Sequence, residues 1–86
     1  MYEFVVANTK TEKRLRLYIS IRNDVKDKLD RLKIDPRRSS GAHPLHGTLF
    51  GKWACWLGSN IRMIYLIDDS LRTITILAVG NHKIYW

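Results

Sequence analysis

The chain has one cysteine, two prolines and eight acidic residues among its 86 residues, and it has no long hydrophobic run. A single thiol, Cys55, excludes a disulfide framework and a zinc site built from several cysteines. No apolar run approaches the length of about 20 residues that a membrane-spanning helix requires. The N-terminal residues also lack an apolar segment behind a basic one. We therefore expect no secretory signal, no membrane association and a cytoplasmic protein.

Basic residues outnumber acidic ones by 15 to 8, which leaves a net charge of +7. On one small domain this excess favours a polyanionic partner: nucleic acid, an acidic protein or an anionic membrane surface. Residues 10–38 hold 11 basic and 5 acidic side chains, a net of +6, and the rest of the chain contributes +1. We expect this region to dock on phosphates without reading sequence, with a merely solvated surface as the alternative. The arginines that favour docking are Arg14, Arg16, Arg37 and Arg38.

The first half of the chain is predicted to form a strand and two helices. Tyr2 to Ala7 is rich in β-branched and aromatic residues, which indicates a strand. Thr9 and Glu12 have the spacing of a capping box and predict a helix from Thr9 to about Leu17. A second helix, with Ser20 as its predicted N-cap, carries apolar residues at positions 21, 25, 29 and 32 and ends at Pro36.

The second half is predicted to be β structure behind a loop. Residues 36–47 contain two prolines and two glycines, which indicates the loop. Three β segments follow at 48–57 (interrupted at Gly51), 61–68 and 73–79, and their short connections predict a meander. Within 61–68, odd and even positions are expected on opposite faces. The order β-α-α-β-β-β indicates one α+β domain over residues 1–86, with an N-terminal strand and a helical hairpin packed on a mostly antiparallel four-stranded sheet.

The three histidines lie outside the predicted helices, where imidazole is suited to acid–base chemistry. Cleavage of a phosphodiester needs a base for the 2′-hydroxyl, an acid for the leaving 5′-oxygen, and cations for the negative charge on the phosphorane. His43 or His46, with His82, Arg62 and Lys52, would supply these groups if the fold brings them together. Surface histidines without a catalytic role are the alternative. No carboxylate accompanies them, so we expect neither a metal nor another cofactor.

Aromatic residues divide between the core and the surface. Strand alternation predicts core positions for Tyr2, Phe4 and Tyr65, and Cys55 is expected to be a small core residue. Trp53 and Trp56 are predicted on opposite faces of one strand, so at least one of them points away from the core. The pair Tyr85 and Trp86 either stacks on nucleobases or covers an edge of the core.

Three motifs follow one another in the second half: HPLHG at 43–47, RMIYLID at 62–68 and VGNHKIY at 79–85. In this order, and with the β-α-α-β-β-β pattern over the whole chain, they resemble the RelE/ParE superfamily of bacterial and archaeal toxin–antitoxin toxins. Within it, the HPL loop and the late histidine most resemble the YafQ-type ribosome-dependent endoribonucleases.

The resemblance implies an enzyme that cleaves messenger RNA in the ribosomal A site by 2′-hydroxyl attack, without a metal. It also implies a cognate antitoxin that silences the toxin, which is then a monomer within a toxin–antitoxin hetero-oligomer. The partners would be this antitoxin, the ribosome and mRNA. The implied catalytic residues are His43, Arg62, His82 and Tyr85, and the implied RNA-binding residues are His46, Lys52, Trp56, Lys83 and Trp86, together with the four docking arginines.

The chain departs from the family pattern at several positions. Trp56 stands where YafQ-type enzymes have a histidine, and Asn60 stands where they have an aspartate. Two lysines of RelE-type enzymes align with Trp53 and Cys55, and Lys52 is adjacent to the first. Two alternatives therefore stay open: a ParE-like toxin that inhibits DNA gyrase, which the histidines argue against, and an inactive module that binds RNA or the ribosome.

Overall fold

The structure is a computed structural model that describes residues 1–58 and 60–81. The described residues form two helices, α1 (Thr9–Ile21) and α2 (Asn23–Ile34), and five strands, β1 (Glu3–Val6), β2 (His43–Pro44), β3 (Trp53–Trp56), β4 (Arg62–Asp68) and β5 (Thr73–Gly80). Short 3₁₀ turns at Ser39–Gly41 and Gly47–Leu49 flank β2. The predicted site residues His82, Lys83, Tyr85 and Trp86 lie outside the described residues.

The strands form one sheet in the order β1-β5-β4-β3-β2. The predicted meander is confirmed because β3, β4 and β5 pair antiparallel in sequence order, while β1 pairs parallel to β5. The α+β class and the mostly antiparallel sheet are also confirmed. The sheet has five strands and not four, because His43 and Pro44 pair with β3. An edge strand tolerates proline, which lacks the N–H, and two residues are too few for a periodic signal.

Helix α1 is longer than predicted and is capped one residue earlier. The side chain of Asn8 accepts a hydrogen bond from the backbone N–H of Thr11 at 2.8 Å, so Asn8 is the N-cap and not Thr9. The helix continues beyond Leu17 to Ile21. Ser20 does not cap α2, because its hydroxyl donates to the carbonyl oxygen of Leu17 within α1.

The core lies between the two helices and one face of the sheet. The predicted stripe of α2 is buried at Val25, Leu29 and Leu32 but not at Ile21, which is 65% exposed beside the junction of the two helices. The odd positions of β4 join this core, as alternation predicted, with Met63 and Tyr65 both fully buried. We call the opposite side of the sheet, which carries the even positions of β3 and β4, the far face.

The predicted core aromatics and Cys55 take their expected places. Tyr2 and Tyr65 are buried, and Phe4 is half-buried against the core. Cys55 is 1% exposed, and burial raises the pKa of its thiol to about 12. It is therefore a small packing residue without thiolate character.

A polar cluster ties the β4–β5 turn to the N-terminus and to the segment after α2. Arg37 donates two hydrogen bonds to the Asp69 carboxylate, at 3.0 and 2.8 Å, and the Tyr2 hydroxyl donates to the same carboxylate. Arg72 lies over the Tyr2 ring at 4.9 Å. The Arg37 guanidinium, followed by the Tyr2 hydroxyl, lowers the pKa of Asp69 to about 2.

Replacing Asp69 with asparagine should lower stability in a pH-dependent way. Since the folded pKa lies below the unfolded value of about 3.9, the cluster stabilises the fold above pH ~4 and loses this contribution as the pH falls towards 2. We expect Asp69→Asn to be less stable than the unchanged protein at pH 7, with the gap narrowing between pH 4 and 2 in urea unfolding. Asp30→Asn, which removes only an exposed pair with Lys26, is the control with a smaller effect. A gap that stays constant down to pH 2.5 would contradict this role of the cluster.

Candidate functional site

Strand pairing places His43 and Arg62 on the same face of the sheet. His43 pairs with Ala54, and directly opposed residues of neighbouring strands project to the same side. Ala54 and Trp56 are two residues apart on β3 and therefore share that side, and Trp56 pairs with Arg62. The far face thus brings together three of the residues proposed from the sequence.

The spacing of these residues follows from sheet geometry. His43 and Arg62 lie two strand spacings apart, about 10 Å, and about 7 Å apart along the strands. Their Cα atoms are therefore separated by about 12 Å, which leaves room for a phosphodiester group between the two side chains. His43 is exposed and Arg62 is half-buried.

Arg62 is stacked on the indole of Trp56. Its guanidinium carbon (Cζ) lies 3.9 Å from the ring centroid, within the range of a cation–π interaction. The edge of the same indole contacts the turn before β2, since a Cβ built on Gly41 would lie 2.9 Å from Trp56 Cδ1. Trp56 therefore separates Gly41 from Arg62 and supports the guanidinium.

The ring of His43 is oriented by the backbone. Its Nδ1 lies 3.0 Å from the carbonyl oxygen of Gly41. A carbonyl oxygen only accepts hydrogen bonds, so we assign the proton of the neutral ring to Nδ1. Nε2 is then the acceptor nitrogen, and an exposed acceptor nitrogen is what a general base requires.

Lys52 occupies a position on the far face. Trp53 and Cys55, which align with the lysines of RelE-type enzymes, are on the core side. The backbone N–H of Leu45 donates to the carbonyl oxygen of Lys52 at 2.9 Å, which extends the β2–β3 pairing by one step. Residues 52, 54 and 56 therefore alternate onto the same side. Trp53 packs against the core and Cys55 is buried within it. The pairing thus favours Lys52 as the lysine of this strand that faces the site.

His46 is not brought to Arg62. It lies in the turn between β2 and β3, three residues beyond His43, and its carbonyl oxygen accepts from the N–H of Leu49 at 3.3 Å. Of the two loop histidines, His43 is the one that strand pairing places on the same face as Arg62.

Three of the four docking arginines have partners in the described structure. Arg14 donates to the carbonyl oxygen of Val79 at 3.3 Å, on the helical side of β5. Arg16 pairs with Glu12 at 3.1 Å along α1. Arg37 is bound to Asp69, and Arg38 is exposed after α2.

The part of the far face around His43 and Arg62 lies in a segment without carboxylates. Between Asp35 and Asp68 the sequence has no acidic residue, and this segment contains β2, β3 and most of β4. Of its four lysines and arginines, Arg37 is paired with Asp69 and Arg38 precedes β2, so Lys52 and Arg62 are the two cations of the β2–β4 region. The near-neutral total for the sheet region hides these two charges because it includes Glu3 and Asp68, which pair with Thr73 at the end of β5 opposite to Arg62, and Asp69 of the next turn. An anionic ligand on the far face meets cations from its own strands.

Sequence reasoning did not identify Gly41 as a site residue, because residues 36–47 were interpreted only as a loop. A glycine two residues before the histidine of an HPL motif was the available clue.

Among residues 1–58 and 60–81, no three histidine, cysteine, aspartate or glutamate side chains are grouped as a metal site would need. Neither α1 nor α2 is long and apolar enough to cross a membrane.

Truncating each tryptophan of β3 should have a different effect on stability, because the two side chains lie on opposite faces of the sheet. Trp56→Ala removes the platform of Arg62 and should lower the free energy of unfolding by about 1–2 kcal/mol. Trp53→Ala leaves a cavity at the core and should cost about 3 kcal/mol. Urea unfolding followed by far-UV circular dichroism measures both. An effect of Trp56→Ala as large as that of Trp53→Ala would contradict the assignment of Trp56 to the far face.

A scan against protein-family models finds no match for this sequence, and a search of curated proteins finds none. Solved structures do match over nearly the whole chain. A chain of the toxin–antitoxin complex RelBE2 from Mycobacterium tuberculosis matches with a TM-score of 0.72 and 24% identity, covering 94% of this chain and 98% of that one. The YoeB/ParE toxin from Agrobacterium tumefaciens gives 0.73 and 16%, covering 93% and 98%. YafQ from E. coli gives 0.69 and 14%, covering 100% and 99%. The resemblance drawn from the motifs is therefore confirmed for the fold, which this chain shares with RelE-, YoeB- and YafQ-type toxins.

Proposed function

We propose that this protein is the toxin of a type II toxin–antitoxin pair and that it cleaves mRNA on the ribosome. The observation that carries the proposal is the placement of His43 and Arg62 on one face of the sheet, within residues 36–67, which contain no acidic residue. The fold alone does not specify an activity. A base and a cation on one face, at the separation a phosphodiester needs, favour a nuclease over a gyrase inhibitor.

The chemistry follows from the two side chains. Nε2 of His43 takes the proton of a ribose 2′-hydroxyl, and the oxygen attacks the adjacent phosphorus. Arg62 and Lys52 donate hydrogen bonds to the non-bridging oxygens as negative charge builds up in the phosphorane. The bond to the 5′-oxygen then breaks, and that oxygen leaves with a proton. The products are a 2′,3′-cyclic phosphate and a 5′-hydroxyl.

The acid that protonates the leaving oxygen is proposed from the sequence alone. His82 is the second histidine of the family pattern, and Tyr85 is a further catalytic candidate. Lys83 and Trp86 are proposed to bind RNA beside them. All four lie outside the described residues.

The helices supply a second cationic surface for docking. Residues 10–38 have a net charge of +6, and both helices expose lysines and arginines. We propose that this surface binds ribosomal RNA through phosphates, with the far face directed at the message. A cognate antitoxin with acidic character would oppose the same charge, in a cytoplasmic complex with one toxin chain per antitoxin-binding segment.

Substitutions at the far face should slow cleavage strongly and leave the fold intact. We expect His43→Ala to lower the rate about 10²–10⁴-fold, and Arg62→Ala about 10²–10³-fold, because one removes the base and the other a stabilising cation. Arg72→Ala is the charge-matched control, since Arg72 lies in the β4–β5 turn at the opposite end of β4. Primer extension on messages held by programmed ribosomes measures cleavage, and circular dichroism verifies folding.

This assay, together with ribosome sedimentation and a DNA supercoiling assay with gyrase, gives each alternative function its own outcome. If both variants cleave as the unchanged protein does, the site assignment is wrong. If the unchanged protein binds ribosomes and leaves the message intact, it is a binding module. If it blocks DNA gyrase and not translation, it is a ParE-like toxin.

Docking by the helices should depend on salt and on single exposed lysines. Lys13→Ala should weaken ribosome binding a few-fold and should reduce the slope of log K against log salt concentration by about 1. Lys26→Ala is the control, because Asp30 already offsets that charge at 3.2 Å. Sedimentation with ribosomes at several salt concentrations measures both. Equal effects of the two substitutions would argue against docking by unpaired helix charges.

A further inference from the structure

The 3₁₀ turn Ser39–Gly41 contacts His43, the proposed base, and the indole of Trp56 on which Arg62, the proposed cation, is stacked. The carbonyl oxygen of Gly41 lies 3.0 Å from Nδ1 of His43. The hydrogen-only Cα of the same residue faces Trp56, whose ring lies 3.9 Å from the Arg62 guanidinium carbon. One residue therefore contacts both the proposed base and the platform under the proposed cation.

The turn itself is held by helix α2. The Ser39 hydroxyl lies within hydrogen-bond distance of the carbonyl oxygens of Arg31, at 2.9 Å, and Asp35, at 2.7 Å. The Ser40 hydroxyl donates to the carbonyl oxygen of Lys28 at 3.1 Å. These three acceptors belong to the last turns of α2 and its C-cap. The position of Gly41 is thus set by a helix and not by the loop alone.

Two separate requirements exclude a side chain at Gly41. Its φ of +69° lies in the left-handed region, which glycine adopts without strain. A Cβ would also approach Trp56 Cδ1 to 2.9 Å, closer than real Cβ contacts, so the indole would have to move. The second requirement is specific to this position. Gly47 has a nearly equal φ of +65°, and its Cβ would meet nothing within 4 Å.

We propose that Gly41 is the positioning residue of the far face and couples the orientation of His43 to that of Arg62. Its carbonyl oxygen keeps the proton of His43 on Nδ1 and leaves Nε2 as the acceptor. Its bare Cα admits the Trp56 indole against which Arg62 stacks. The catalytic consequence rests on the nuclease function proposed above, whereas the geometric coupling does not.

The test compares Gly41→Ala with Gly47→Ala, which imposes the same backbone strain without a contact. The first measurement is the ¹H–¹⁵N NMR spectrum of the His43 ring at a pH where imidazole is neutral. We expect Nδ1–H in the unchanged protein and in Gly47→Ala. In Gly41→Ala we expect a shift to Nε2–H, the tautomer that free imidazole side chains prefer. A substitution that only destabilised the fold would not move this signal.

Cleavage on programmed ribosomes is the second measurement. Gly41→Ala should lose on the order of 10²-fold in rate, since a misplaced group near the reacting centre has this effect. Gly47→Ala should stay within about 2-fold of the unchanged protein. If neither protein cleaves but the tautomer shifts only in Gly41→Ala, the positioning role is supported and the nuclease function fails.

A double variant keeps the test decisive if Gly41→Ala folds poorly. In a Trp56→Ala background the indole is gone, so Gly41→Ala should lower the urea midpoint only as much as Gly47→Ala does. Three results would overturn the proposal: an unchanged His43 tautomer in Gly41→Ala, equal tautomer shifts in both glycine variants, or an equal loss of stability from Gly41→Ala with and without Trp56.

Discussion

Strand β4 crosses the middle of the sheet, and its two-residue alternation determines where the core and the site lie. Met63 and Tyr65 project into the core beneath the helices, so Arg62 must project from the far face. The Tyr65 hydroxyl donates to the carbonyl oxygen of Pro36 at 2.7 Å. Burial raises the pKa of Tyr65, so this hydroxyl stays a donor at every physiological pH.

The hydrogen bond from Tyr65 holds Pro36, and Pro36 begins the segment that leads to β2. The chain runs from Pro36 through the Ser39–Gly41 turn to His43. A core side chain of β4 therefore fixes the start of this segment, and Arg62 of the same strand lies on the face where the segment ends. The proposed base and the proposed cation thus belong to one connected arrangement that includes α2, the turn and the central strand.

Positive charge serves two different surfaces of the molecule. The helices hold most of the excess, and exposed helix charges interact with a polyanion through long-range, salt-dependent attraction. The far face around His43 and Arg62 holds fewer charges, but residues 36–67 contain no carboxylate to offset them. Arg62 is half-buried and stacked, so its direction is fixed before a ligand arrives. The charges of the helices suit long-range binding of a polyanion, and the fixed direction of Arg62 on the far face suits a catalytic role.

Most of the fold could be predicted because helix spacing and strand alternation depend on residues that are close together in the sequence. The apolar spacing of α2, the alternation of β4 and the buried Cys55 were all evident from the sequence. Strand β2 was missed because two residues form no period, and the cap at Asn8 was missed because Thr9 and Glu12 offered a competing capping pattern. Gly41 was missed because its role depends on a contact with Trp56, fifteen positions later. The grouping of a loop histidine with Arg62 was proposed from the chemistry of phosphodiester cleavage, the family resemblance pointed to His43, and strand register supplied the geometry.

The central claim is that the far face cleaves RNA by attack of a 2′-hydroxyl. The most direct measurement uses programmed ribosomes that hold a message with a single 2′-deoxynucleotide at the cleaved position, compared with the all-ribose message. We expect the all-ribose message to be cut to a 2′,3′-cyclic phosphate and a 5′-hydroxyl, and the deoxy-substituted message to stay intact at that position. Cleavage of both messages at equal rates would contradict it.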